Sequence, residues 1–185
     1  EFCTIADVEP RLKDRTLTVN GASKTYAMTG WRIGFCGGPK ALIKGMMNMQ
    51  GQATAGVSTI SQAAVAAALD GPQELVRERA EEYRQRRDLV VEMLNAAPGI
   101  SCHKPEGAFY VFPNIAGCIG KTSKGGRKIE TDTDFAMALL EEKYVATVQG
   151  TAYGMSPYLR ISYATNMENL REACGRIQEF CRELN

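Results

Sequence analysis

Val76, Ala80, Tyr83, Val90 and Leu94 recur at spacings of three, four and seven, the apolar stripe of a 3.6-residue period, and nothing breaks that run before Pro98-Gly99. One long helix therefore occupies the middle of the chain, and everything else must fold on either side of it. Glu82 and Arg86 stand four apart on its charged face, a pair that supports a helix and otherwise only keeps it solvated. Upstream, Asp70-Gly71-Pro72 separates this helix from an Ala-rich helical run over Ser58–Leu69.

Toward the amino end the period changes to two. Leu17 and Val19 alternate with Thr16 and Thr18 in a short strand that ends at Asn20-Gly21, a dipeptide that favours a turn. A second strand is expected over Trp31–Cys36, closed by Gly37-Gly38-Pro39, with Pro39 opening a helix through Met49. Asp7, Glu9, Pro10, Lys13 and Asp14 read as a polar loop ahead of these strands. Beyond Pro98, strands are expected at Ile100–Cys102, Phe109–Phe112, Val145–Val148 and Leu159–Ala164, with a helix over Thr131–Tyr144. Thr165-x-x-Glu168 has the form of a capping box for a terminal helix, whose buried stripe is Leu170, Cys174, Ile177, Cys181 and Leu184. The order predicts an α/β unit followed by a smaller α+β unit, without internal repeats.

Apolar residues make up 44% of the 185, enough to bury a core, and Lys+Arg 22 against Asp+Glu 21 leaves a net charge of +1. No global field draws in nucleic acid or an anionic membrane. The longest apolar run, Ala63–Leu69, is far short of the roughly 18 residues that a membrane span needs. A soluble, cytoplasmic protein is expected. Six cysteines lack any C-x-x-C pair and His103 is the one histidine, so buried reduced thiols are expected, with no metal site.

Two segments imitate functional motifs. Gly117-Cys118-Ile119-Gly120-Lys121-Thr122 has two residues between its glycines where a phosphate loop needs four, and Ser123-Lys124-Gly125-Gly126 after it cannot open a helix, so a flexible surface loop is expected. Lys121, Lys124, Arg127 and Lys128 are basic, but no aromatic residues interleave with them to stack on bases.

The stretch Ser23-Lys24-Thr25-Tyr26-Ala27-Met28-Thr29-Gly30-Trp31-Arg32-Ile33-Gly34 is different in kind. A lysine beside a hydroxyl in a small-residue loop, followed by an arginine, matches the needs of a phosphorylated aldehyde: an amine to condense with the carbonyl, and a fork of donors for phosphate oxygens. Glycines at 21, 30 and 34 would let the backbone approach a ligand closely. From spacing alone, a solvated loop lysine and an edge-strand ion-pair arginine satisfy the same pattern.

The pattern S-K-x-x-x-x-x-G-W-R-x-G resembles the cofactor-lysine segment of class I, fold type I, aminotransferases. Two further segments resemble that family in the same order: Lys104-Pro105-Glu106-Gly107-Ala108-Phe109-Tyr110, and Gln149-Gly150-Thr151-Ala152-Tyr153-Gly154 running into Tyr158–Ala164. The resemblance implies pyridoxal 5'-phosphate as cofactor, Lys24 as its Schiff-base lysine and proton carrier, and phosphate contacts from Ser23 and Arg32. It implies that Arg160 clamps the substrate α-carboxylate. The strand alternation agrees, since Leu159, Ile161 and Tyr163 share one face and leave Arg160 and Ser162 on the other.

In the family's terms, residues 1–72 would be the C-terminal portion of the large cofactor-binding domain, and 73–185 the connecting helix with the small C-terminal domain. The stretch Gly117–Asp134 is most similar to bacterial aspartate aminotransferases of the aspartate/prephenate subgroup. The expected reaction moves an amino group from aspartate to 2-oxoglutarate or a related keto acid, in a homodimer; an aromatic or broad-specificity aminotransferase and a non-catalytic fragment are the alternatives. The family's glycine-rich phosphate loop, its ring-stacking aromatic and its pyridine-pairing Asp would all precede Lys24, and neither Asp7 nor Asp14 sits in a matching motif. The chain alone is therefore expected to be incomplete and inactive.

Overall fold

A computed structural model describes residues 3–185, which divide into two compact units, one up to Arg77 and one over Glu78–Asn185. In the first, the polar segment expected as loop winds instead into a helical turn, α1 (Ile5–Val8), and a 3-10 turn over Pro10–Arg15. The reason is local: the Thr4 hydroxyl accepts from the Asp7 backbone N–H at 3.3 Å while the Asp7 carboxylate accepts from the Thr4 N–H at 3.1 Å, a reciprocal capping box.

Strand β1 (Thr18–Gly21) pairs antiparallel with β2 (Gly34–Gly37), and Gly21 lies opposite Gly34. Asn20-Gly21 thus stays extended rather than turning, because its cross-strand partners Phe35 and Gly34 hold it in the ladder. A Cβ on Gly34 would stand 3.3 Å from the Asn20 carbonyl oxygen, so glycine here serves the close strand contact. Helix α2 (Ala22–Thr25) follows β1 at once.

Helix α3 (Lys40–Ala53) has Pro39 at its N-cap and continues past Met49 until Thr54 and the left-handed Ala55 end it. Helix α4 (Thr59–Asp70) is capped by Ser58 and closed by Gly71, as its Ser and Gly signals predict. Among the described residues up to Arg77 only Ala22, Ser61 and Val65 are buried, while Val19, Phe35, Leu42, Met47, Met49 and Ile60 are exposed.

Helix α5 (Glu74–Asn95) is the long central helix, and its Glu82–Arg86 ion pair forms at 3.1 Å. In the second unit β5 (Leu159–Ser162) is the central strand of a three-stranded antiparallel sheet, flanked by β3 (Tyr110–Val111) and β4 (Val148–Gln149). These strands are shorter than the apolar runs suggest, and Ile100–Cys102 contributes only an isolated bridge from Ser101 to Asn114. Helix α6 (Asp132–Lys143) starts from a Thr131/Asp134 capping box. Helix α7 (Met167–Glu183) is capped by Asn166, whose side chain accepts the Asn169 N–H at 2.8 Å, one residue later than the expected Thr165 box. Asn is the stronger N-cap.

The core is concentrated in this unit. Val90 and Leu94 of α5, Phe135 and Leu139 of α6, Leu159 of β5, and Ile177 and Phe180 of α7 are all buried. Phe135 meets Phe180 edge to face, with centroids 5.1 Å apart. Each such side chain contributes about 1.5–3 kcal/mol through burial.

The segment expected to be a flexible loop is pinned. Thr122 bridges to Lys128, Ser123 is buried, and the Glu142 carboxylate accepts from the Ser123 hydroxyl at 2.5 Å and the Gly125 N–H at 3.1 Å. Three of its four cations form ion pairs, Lys124 with Glu183, Arg127 with Glu141 and Lys128 with Glu130. Four cysteines, Cys102, Cys118, Cys174 and Cys181, are buried, and all of the described cysteines are free. Burial pushes the Cys102 and Cys174 thiols up to about 11, which keeps them protonated packing groups. His103 is exposed. Among the described residues no helix is long and apolar enough to cross a membrane, and no cluster of His, Cys, Asp and Glu could hold a metal.

Candidate active site

Residues 22–33 form the connection between β1 and β2, and the paired glycines 21 and 34 close its base. Ser23, Lys24 and Arg32 all lie on it. Ala22 is fully buried and anchors the start of α2, which leaves Ser23 half-buried and Lys24 exposed. Tyr26 fixes the next turn by donating its hydroxyl to Gln73 Oε1 at 2.8 Å.

Arg32 lies outside the strand expected over Trp31–Cys36, which forms over Gly34–Gly37. It ends a 3-10 turn (Thr29–Trp31) in the left-handed region at φ 51, and Ala27 sits there too at φ 54. Residues other than glycine rarely adopt this conformation, which costs on the order of 1–3 kcal/mol and tends to gather at ligand sites. The exposed guanidinium turns back and donates from one nitrogen to the Thr29 carbonyl at 2.9 Å, so the rest of its fork is available to an anion. Gly30 has open space where a Cβ would stand, unlike Gly21 and Gly34, whose role is strand pairing.

Arg160 belongs to the second unit, on central strand β5. Leu159 and Tyr163 are buried on one face, and Arg160 projects from the other. Its guanidinium carbon lies 4.7 Å from the Tyr110 ring centroid and 4.8 Å from that of Tyr153, so two aromatic rings hold it. Among the described residues it forms no ion pair.

The other two motifs supply those rings. Tyr163 donates its hydroxyl to the Ala108 carbonyl at 2.8 Å and Arg87 donates to that of Pro105 at 3.1 Å, fixing the strand-entry segment that presents Tyr110. Tyr153 ends a 3-10 turn (Gly150–Tyr153) after β4. Phe112 stacks on Tyr158 at 5.3 Å and meets Tyr153 at 6.2 Å, extending the aromatic wall. Neither tyrosine emerges as a candidate from sequence, because ring and guanidinium meet only when three separated segments assemble.

The family model for aminotransferase class I and II matches residues 1–177. The chain belongs to that family. It is 58% identical over its whole length to an aspartate/prephenate aminotransferase of Cereibacter sphaeroides, of which it covers 46%. A crystal structure of an aspartate aminotransferase from Rhizobium meliloti, 56% identical, matches all of this chain and 46% of its own with a TM-score of 0.96. An aromatic aminotransferase from Pyrococcus horikoshii, 40% identical, matches 97% of this chain and 46% of its own at 0.86. The chain thus has the fold of the corresponding part of a fold type I aminotransferase and spans about half the length of these relatives.

Membership brings the family's cofactor, pyridoxal 5'-phosphate. The donor set on residues 22–33 suits it: an amine for the aldehyde, with a hydroxyl and a partly engaged guanidinium for the phosphate.

Proposed function

We propose that the gene product carrying this chain transfers an amino group from aspartate to a 2-oxo acid, either 2-oxoglutarate or a related acid such as prephenate. Lys24 would hold the cofactor through its amine, with Ser23 and Arg32 on the phosphate and Arg160 on the substrate α-carboxylate. The carrying observation is Arg160, a guanidinium held between Tyr110 and Tyr153 without a carboxylate of its own. The choice of aspartate and prephenate rests on the names of the relatives at 56–58% identity.

The cofactor, when bound, supplies an electron-withdrawing ring that stabilises negative charge at the substrate α-carbon. Two residues of this chain would act beside it. Arg160 fixes the substrate by its carboxylate, so that the bond to be broken is presented in one orientation. Released from the cofactor by the incoming amino acid, the Lys24 amine would take the proton from the substrate α-carbon and pass it to the cofactor, acting as general base and then acid. A homodimer is part of the proposal, on family resemblance.

Borohydride reduction of the cofactor-loaded gene product, followed by peptide mapping, tests the centre of this proposal. A pyridoxyl adduct on Lys24 is expected; an adduct on another lysine, or none, refutes the assignment. Parallel turnover with aspartate and phenylalanine as donors separates the aspartate reaction from the aromatic one.

A further inference from the structure

Asp132, the first residue of α6, is fully buried, and its carboxylate reaches across to the segment that carries Tyr153. Oδ2 accepts the Thr151 backbone N–H at 2.7 Å, and Oδ1 accepts the Thr151 hydroxyl at 2.5 Å and the Ser156 hydroxyl at 3.3 Å. One carboxylate therefore grips the chain on both sides of Tyr153. The turn between is tight: Gly150 donates to the Tyr158 carbonyl at 2.7 Å, and Met155 donates to the Gly150 carbonyl at 3.1 Å. A Cβ on Gly150 would collide with the Met155 carbonyl oxygen and stand 2.8 Å from the Tyr158 Cβ, so this turn accepts no side chain at position 150.

A buried ion is costly unless it is fully hydrogen-bonded, and three hydroxyl and amide donors at the positive end of a helix satisfy this one. A carboxylate fixed this strongly transmits its position. The turn that Asp132 anchors carries Tyr153, and that ring lies 4.8 Å from the Arg160 guanidinium carbon.

We propose that Asp132 is a positioning residue for substrate recognition, holding Tyr153 so that the Arg160 fork meets the substrate carboxylate in register. This rests on the assignment of Arg160 as the carboxylate clamp. Asp132 touches no reacting atom. Its removal should therefore weaken ground-state binding of the acid while leaving the chemical step nearly intact.

Two measurements test it. In the 185-residue chain, the flanking rings should place the Arg160 Nε–Hε resonance upfield, and Asp132→Ala should move it toward the position of an unstacked arginine, with the helical circular dichroism unchanged. In the full gene product, the same substitution should raise the amino-acid KM about tenfold with kcat within about twofold, and Asp132→Asn, which keeps one acceptor, should recover most of the difference. A folded Asp132→Ala chain with an unmoved Arg160 resonance overturns the proposal. A moved resonance with unchanged KM refutes the clamp assignment on which it rests, while the coupling itself stands. If Asp132→Ala does not fold, Thr151→Val, which removes only the hydroxyl arm, must move both readouts in the same direction; no movement there is equally decisive against it.

Discussion

Replacing Arg160 by leucine removes a cation that two rings hold in place. The guanidinium stands 4.7 and 4.8 Å from the Tyr110 and Tyr153 centroids, so in the absence of substrate it is already oriented and has little side-chain freedom left to lose on binding. A bidentate carboxylate would add two charge-assisted hydrogen bonds, each worth about 1.5–3 kcal/mol and not strictly additive. Losing both should cost roughly 3–5 kcal/mol of transition-state binding, or two to three and a half orders of magnitude in kcat/KM at about 1.4 kcal/mol per decade. Arg160→Lys keeps the charge but neither the fork nor the planar stacking, and should fall between leucine and the native protein. Steady-state kinetics with aspartate, on the full gene product with its cofactor, measures all three. A loss of less than tenfold for Arg160→Leu would show that the carboxylate is held elsewhere, and the functional assignment of β5 would fail with it.

Lys24→Ala should abolish transamination and the borohydride adduct together, which turnover and peptide mapping read separately. Phe135→Ala, at a buried ring packed edge to face on Phe180, should cost about 3–5 kcal/mol in urea unfolding, with the loss confined to the second unit. Burial pushes the Asp132 carboxyl up, but hydrogen bonds from the Thr151 hydroxyl and N–H and from Ser156 outweigh it and hold the group below its ordinary 3.8. A depressed folded value means that its contribution is complete above 3.8 and is lost as the pH falls toward the folded value. The stability gap between the native chain and Asp132→Asn should accordingly be constant at neutral pH and shrink in strong acid; a gap that widens on acidification would reverse the sign. The 185-residue chain by itself should show no turnover with added cofactor, and limited proteolysis should cut it first among residues 3–77, where few side chains are buried; a protected first unit would contradict that expectation.

The long elements were legible because their signals are local. The stripe through Val90 and Leu94, the Ala-rich run over Ser58–Leu69 and the stripe from Leu170 to Cys181 each lie within a few helical turns, and a helix formed at each. The short strands were not legible to the same degree, because their ends depend on distant partners. Asn20-Gly21 is extended only because Phe35 and Gly34 lie opposite, and the expected strand at Trp31 starts three residues late because Arg32 is left-handed. The grouping of Ser23, Lys24 and Arg32 on one connection was readable from their spacing between two apolar runs. The rings around Arg160 and the anchor beneath them were not. Asp132 in sequence is one more acidic residue at a helix start, and only its contact with Thr151 makes it buried and consequential.

The cramped corner at Gly150 also bears on protein engineering. The obstacle that a side chain would meet there is main chain, which no choice of rotamer avoids. A mutational library meant to change which acid the protein accepts should keep codon 150 fixed. Diversity placed at the Tyr153 or Met155 side chains, both roughly half exposed, leaves the corner intact and alters the surface of this turn.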